Sequence, residues 1–368
     1  MPKVCYISPI SIHSVRYLEA FKQKGYDISI IADSHTWVAP NPKSIPTYNL
    51  PQLTKANFPQ RYIPNIIAIV RILRNIKPDL VHLHLQNHYT PAILLSRIPY
   101  ILTSWGMEVL TLPNDDILVK ALGRTAAWKA HKITVDANIL KQIWTQMGIP
   151  QGKIQIIPFG VDLRIFNPNI DGSAIRKKLE IKKDDVVLIS TRALRNHHYN
   201  VESFIKAMPL ILKSCSNAKF IVKGEGPLES YLKKLTKKLG ISDKVHFVGL
   251  VSHSEHAKYL GAADIYVSTS FVDTTSVSLL EAMACGLAPV VTDIEGNREW
   301  ITNDKNGFLF QPRNHEDLAA KAIQLINDEQ LRRKFGENCH EKAAQKASWT
   351  DCVARMEHIY NEILQKQT

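Results

Sequence analysis

The chain has no apolar stretch long enough to cross a bilayer, no repetitive or Pro/Gly/Ser-rich tract, and no cysteines at metal-ligand spacing. The first absence argues against a membrane-spanning protein and the second against a disordered or fibrous one. The five cysteines (Cys5, Cys215, Cys285, Cys339 and Cys352) are scattered and odd in number, so a reducing compartment is expected rather than a disulfide framework. The opening Met1-Pro2-Lys3-Val4-Cys5-Tyr6-Ile7-Ser8 reads as a first strand and not as a signal peptide, which points to the cytoplasm. The loop that follows, Ser8-Pro9-Ile10-Ser11-Ile12-His13, lacks the three-glycine dinucleotide fingerprint, which argues against a nicotinamide enzyme. No Asp-x-Asp pair offers itself to a divalent cation.

What is present is ordinary in amount and uneven in charge. At 368 residues and 45% hydrophobic content, the chain suits two domains with a core each. Residues 1–165 hold 18 Lys and Arg against 9 Asp and Glu, which is +9 of the total +12, so the remainder carries only +3. A basic first half attracts nucleic acid, anionic lipid or a phosphorylated acceptor. With no recognised nucleic-acid module beside the charge, nucleic acid is the least favoured of these.

Apolar runs and helical periods alternate along both halves. In the first half, strands are expected over 3–8, 26–32, 79–85, 100–104, 132–136 and 153–158, with helices over 12–24, 64–76, 116–131 and 137–147 between them. The segment Phe159-Gly160-Val161-Asp162 to Pro168 reads as the exit from the first domain, and the same alternation restarts at 185–191. Two doubly wound parallel sheets facing a central cleft follow from this pattern, with ligands beyond the carboxyl ends of the strands. The boundaries expected are 1–165 for the first domain, 166–347 for the second and 348–368 for a terminal helix.

The stretch from Asp273 to Gly286 carries the most chemistry. It lies between strands expected at 264–270 and 288–293, with Thr274, Thr275 and Ser276 suited to capping a helix and Gly286 suited to ending it. A helix N-terminus beyond a parallel strand is an anion site. Asp273 and Glu281 flank it, and carboxylates there suit hydroxyls better than phosphate. Phosphate among hydroxyls describes a sugar nucleotide.

Other strand ends converge on the same edge. Arg192 follows its strand directly and can reach a diphosphate. Lys223-Gly224-Glu225-Gly226-Pro227 is a glycine turn that allows close backbone approach, and Phe247-Val248-Gly249-Leu250 is similar. In the first half His82 and His84 share a strand face, yet no Asp, Glu or Cys accompanies them, so a metal is not expected. Pro64 opens a helix bearing Arg71 and Arg74, with Lys77 just beyond, beside Ile66, Ile67, Ile69, Val70, Ile72 and Leu73; it is a basic amphipathic helix suited to a membrane surface or simply to solvent.

These residues resemble a retaining glycosyltransferase of family 4 with the GT-B fold. The resemblance rests on Gly160-Val161-Asp162, Arg192, Gly224-Glu225-Gly226-Pro227, Phe247-Val248-Gly249, Leu280-Glu281-Ala282-Met283-Ala284-Cys285-Gly286, Gly296 with Glu299, and Asn306-Gly307. It covers most of the chain after Pro150 and is looser before it. It implies that Glu281 binds the donor ribose, that Asp273 holds hydroxyls of the transferred sugar, that the amides of Ser276, Val277 and Ser278 face the diphosphate, and that Leu250 lies by the base. It also implies that the tail beyond Ser348 is a helix crossing back onto the first domain. Three departures stand out: Asp273 replaces the first glutamate of the family's acid pair, His197-His198-Tyr199-Asn200 occupies the place of the expected lysine, and Trp105 stands where a histidine is expected.

The expected activity is therefore transfer of a hexose, with UDP-glucose the first donor to try, onto a hydroxyl of a glycan or lipid-linked glycan. Retention of configuration is expected, without a metal or cofactor. Arg192, Asp273 and Glu108 are the expected catalytic residues. His13, His84 and Trp105 are expected on the acceptor or sugar side, and Gly224, Gly226 and Leu250 on the donor side. Peripheral association with an anionic membrane is expected of the basic half. Two alternatives stay open at this point, a UDP-sugar 2-epimerase on the same fold and a catalytically degenerate sugar-nucleotide-binding partner; release of free UDP with a matched acceptor separates them from a transferase.

Overall fold

The computed structural model describes residues 1–32, 42, 44–50, 63–84, 89–106, 117–195 and 197–366, with the side chains of 117–120 left aside. They form two compact units, one of Met1–Pro158 with Cys352–Thr368 and the other of Phe159–Asp351.

The first unit is built on a seven-stranded sheet, every pairing parallel, from β1 (Lys3–Ile7), β2 (Asp27–Ala32), β3 (Thr47–Asn49), β4 (Leu80–His84), β5 (Tyr100–Ser104), β6 (Lys132–Val135) and β7 (Ile154–Ile156). Their order is β3-β2-β1-β4-β5-β6-β7, so the winding reverses between β1 and β4. β4 and β5 are buried at every residue, as strands covered on both faces must be. One face packs Cys5, Ile7, Leu83 and Leu102 against Ile69 and Leu73 of the helix Ile63–Ile76. On the other, Phe21 stacks on Tyr360 with ring centroids 4.5 Å apart.

Tyr360 belongs to the helix Trp349–Gln365, whose residues from Cys352 onward are part of this unit. Its hydroxyl lies 2.6 Å from the Tyr6 hydroxyl and 2.5 Å from Nδ1 of His82, whose Nε2 meets Thr103 Oγ1 at 2.5 Å. All four groups are buried and satisfied. Burial lowers the His82 pKa to about 3, so the ring is neutral and joins hydroxyls together.

The second unit repeats the plan with six parallel strands, β8 (Val186–Ser190), β9 (Ala218–Lys223), β10 (Val245–Gly249), β11 (Ile265–Ser268), β12 (Ala288–Thr292) and β13 (Phe308–Phe310). Their order is β10-β9-β8-β11-β12-β13, reversing between β8 and β11. The period of two is visible in the packing, since Leu188 enters one core cluster while Val187 and Ile189 enter the other. The boundary lies at Pro158 and not at 165 because the connecting segment is bonded into this unit. Val161 N–H donates to Ala347 O at 2.7 Å, Trp349 N–H donates to Val161 O at 2.9 Å, and Phe166 is buried in the second core.

Candidate active site

The reversal of winding in the second sheet puts the ends of β8 and β11 side by side, with their loops diverging to opposite faces. Such a switch point leaves a natural crevice for a ligand. Arg192 stands just past β8, and the loop from Thr269 to Ser276 leaves β11. The helix Val277–Ala284 then begins with Ser276 as its N-cap, the Ser276 hydroxyl accepting from Leu279 N–H at 3.3 Å.

Arg192 is only 8% exposed. Its Nη1 donates to Ser276 Oγ at 2.6 Å and to Ser278 Oγ at 3.0 Å, its Nη2 pairs with Asp273, and its guanidinium lies 4.5 Å from the centre of the Tyr199 ring. Burial works against the charge on Arg192, and the Asp273 carboxylate together with Tyr266 and Tyr199 more than offsets it. Ser278 also accepts from the Tyr266 hydroxyl at 3.0 Å. Four residues read from the sequence as diphosphate or sugar ligands thus form one bonded cluster.

Glu281 is the fifth residue of the helix Val277–Ala284 and is 8% exposed, where burial alone would raise its pKa. Hydrogen bonding and charge from His253 and His256 reverse this and lower it to about 2. His256 Nε2 is 3.1 Å from one carboxylate oxygen and His253 Nε2 is 3.6 Å from the other. Sequence reasoning missed both histidines; the sequence pattern opens a helix at Glu255, whereas it begins at His253, so their spacing of three residues, which sets two side chains on one helix face, is split between an expected loop and an expected helix. Lys223 at the end of β9 was also passed over as a site residue. Burial lowers its pKa, and the charge on Glu281 partly restores it.

The glycines of the site lie close against other backbone. A Cβ on Gly224 would sit 2.3 Å from Arg192 O, and one on Gly226 2.3 Å from Leu194 O, so their missing side chains make room for the Arg192–Leu194 backbone itself. Gly296 does the same for the Asp273 loop, where a Cβ would come within 2.2 Å of Thr274 O. Leu250 follows Gly249 out of β10 and is 68% exposed.

In the first unit, His13, His84 and Trp105 come together at the ends of β1, β4 and β5. The Trp105 ring centroid is 4.2 Å from that of His84 and 6.0 Å from that of His13. His84 Nδ1 meets Ser8 Oγ at 2.6 Å, and burial, with His82 and His13 nearby, holds its pKa well below the ordinary value. Glu108 lies outside the described residues. Among the described residues, no group of three or more His, Cys, Asp or Glu side chains is arranged to hold a metal ion, and no helix is long and apolar enough to cross a membrane.

Residues 171–342 match the family described as glycosyl transferases group 1, and residues 3–137 match glycosyl transferase 4-like proteins. The chain is a GT-B glycosyltransferase related to the family 4-like enzymes. This transferase is 25% identical over 295 residues to an uncharacterised glycosyltransferase of Methanocaldococcus jannaschii, covering 77% of this chain and 75% of the relative. It is 28% identical over 301 residues to an N,N'-diacetylbacillosaminyl-diphospho-undecaprenol alpha-1,3-N-acetylgalactosaminyltransferase of Campylobacter jejuni, covering 77% of each. The crystal structure of Anabaena HepE in complex with UDP-glucose superposes on the transferase with a TM-score of 0.80 at 17% identity, over 98% of this chain and 100% of that one. The transferase accordingly moves a sugar from a donor onto an acceptor.

Proposed function

We propose that the transferase moves a hexose from a UDP-sugar, UDP-glucose first among them, onto a hydroxyl of a glycan or lipid-linked glycan, with retention at the anomeric carbon. The observation that carries this reading is the cluster of Arg192 with Asp273, Ser276 and Ser278 at a helix N-terminus. As the sugar–phosphate bond breaks, negative charge grows on the diphosphate. The Arg192 guanidinium and the backbone N–H groups of Val277 and Ser278 are fixed where they stabilise it. Glu281 accepts the ribose hydroxyls and Asp273 those of the sugar. Glu108 keeps the role read from the sequence, a carboxylate beside the transferred sugar, and His13, His84 and Trp105 form the acceptor side of the first unit. The resemblance to family 4 supports retention, and the name of HepE's ligand supports UDP-glucose.

The test is transfer from UDP-glucose to a glycan or polyprenyl-linked acceptor, with the anomeric configuration of the product read by NMR. Activity should survive EDTA, because the charge is met by Arg192 and backbone dipoles. A strict requirement for a divalent cation, or an inverted product, would sink the mechanism.

Membrane docking of the first unit belongs to the same reading. On the helix Ile63–Ile76 the exposed Ile63 (48%) and Ile67 (45%) lead along one face to the exposed Arg71 and Arg74, with Lys77 beyond the end. Apolar anchors beside basic groups suit an anionic interface, and the Campylobacter relative's name describes a lipid-linked acceptor. Co-sedimentation with phosphatidylglycerol vesicles should fall with added salt and when Arg71 and Arg74 are both changed to Glu. Binding that ignores salt, or no binding at all, would leave these residues as a solvated face.

A further inference from the structure

We propose that His253 and His256 are positioning residues for the donor ribose, clamping the Glu281 carboxylate from one side so that its remaining lone pairs face the two ribose hydroxyls. The inference rests on the reading of Glu281 as the ribose acceptor. Both histidines project from the first turns of the helix His253–Gly261. Their side chains are 35% and 6% exposed, so His253 stands at the rim and His256 inside. The Phe166 ring flanks both, with centroids 5.0 Å and 5.7 Å away, and limits their rotation.

A carboxylate only accepts hydrogen bonds, so His256 Nε2, 3.1 Å from Glu281 Oε2, carries a proton. That leaves His256 Nδ1 buried and without a partner. A side chain selected for packing alone would not strand a buried nitrogen, which costs stability. The ring is explained by what its other nitrogen does. Two carboxylate oxygens offer about four lone-pair positions. His256 occupies one on Oε2, and His253 stands 3.6 Å from Oε1. Positions remain for two hydroxyls, which matches a vicinal diol. The histidines also keep Glu281 ionised against its burial. A protonated Glu281 would turn one acceptor into a donor and lose half of this recognition.

The readout is the preference for ribose hydroxyls, which a merely structural role would not move. Calorimetric titration of the full chain with UDP and with 2′,3′-dideoxy-UDP gives the affinity ratio. Glu281→Ala should abolish the preference for UDP. His256→Ala should cut it about tenfold, the scale of one charge-assisted hydrogen bond, and His256→Gln, whose amide N–H replaces the ring N–H, should keep it within about threefold. Equal losses of affinity for both nucleotides in His256→Ala, with the ratio intact, would make the ring structural and overturn the proposal. Should His256→Ala fail to fold, His253→Ala at the rim decides: a lowered ratio supports the clamp and a wild-type ratio overturns it. A wild-type ratio in Glu281→Ala would instead remove the ribose reading itself, and the proposal with it.

Discussion

Replacing Arg192 with Ala should lower the turnover of saturated enzyme on the order of 100-fold, about 3 kcal/mol of transition-state stabilisation. The size follows from what the guanidinium holds. It donates to Ser276 and Ser278 and pairs with Asp273, all at the N-terminus of one helix. Without it, the diphosphate loses a donor and the Asp273 carboxylate stands uncompensated beside the growing negative charge. Arg192→Lys should fall between, because an ammonium keeps the charge but cannot donate in a fork to both serines and the carboxylate. The measurement is kcat at saturating UDP-sugar beside the Kd for UDP. A turnover within threefold of the native value in Arg192→Ala would show that leaving-group charge is met elsewhere.

Glu281→Gln should destabilise the second unit near neutral pH, with an effect that fades in acid. The folded carboxylate titrates at about 2 against an ordinary 4.5, a depression, so its contribution is present above about 4.5 and is lost as the pH falls towards about 2. At 8% exposure it converts to about 3 kcal/mol. Unfolding midpoints of the native chain and Glu281→Gln, compared near pH 7 and near pH 3, should lie roughly twice as far apart at the first as at the second. A gap of equal size at both would mean that the histidines do not hold the carboxylate ionised.

The two predictions differ in how far the sequence announces them. That Arg192 and the residues from Asp273 to Ser278 share one sheet edge follows from reading strands and their ends, because parallel strands in a doubly wound sheet send their carboxyl termini the same way. That Arg192 turns its guanidinium onto Asp273 and two serine hydroxyls is a matter of side-chain packing across more than eighty residues of chain, on which periodicity is silent. The histidines on Glu281 are hidden for the same reason.

Short elements are lost for another. β3 and β13 have three residues each, too few for alternation alone to register, whereas the equally short β7 lies in the longer apolar run read over 153–158. The long helix Glu329–Ala347 buries Phe335, Cys339, Ala343 and Ala347 at intervals of four, but its buried stripe is made largely of small residues set in a charged sequence. Its Gly336 also lies against Gly286, where a Cβ would come within 2.0 Å of the Gly286 carbonyl oxygen. Close backbone approach of that kind substitutes for the large apolar side chains that sequence patterns detect. Gly224 and Gly226 read correctly as conformationally special, whereas the object they make room for, the Arg192–Leu194 backbone, is visible only in three dimensions.

The buried chain Thr103–His82–Tyr360–Tyr6 has a consequence for the order of assembly. Tyr6 and Tyr360 are 354 positions apart, yet each satisfies the other's hydroxyl in the same core. On a ribosome the chain emerges in sequence order, so the sheet begun by β1 waits for its closing helix until the intervening segment Phe159–Asp351 has been made. The unit Phe159–Asp351 is drawn from one continuous segment and has all its strands in hand earlier. The domain that starts first is therefore the one that finishes last, and until the final helix arrives the Tyr6 and His82 groups and the aromatic face around Phe21 stand open to water or to a chaperone.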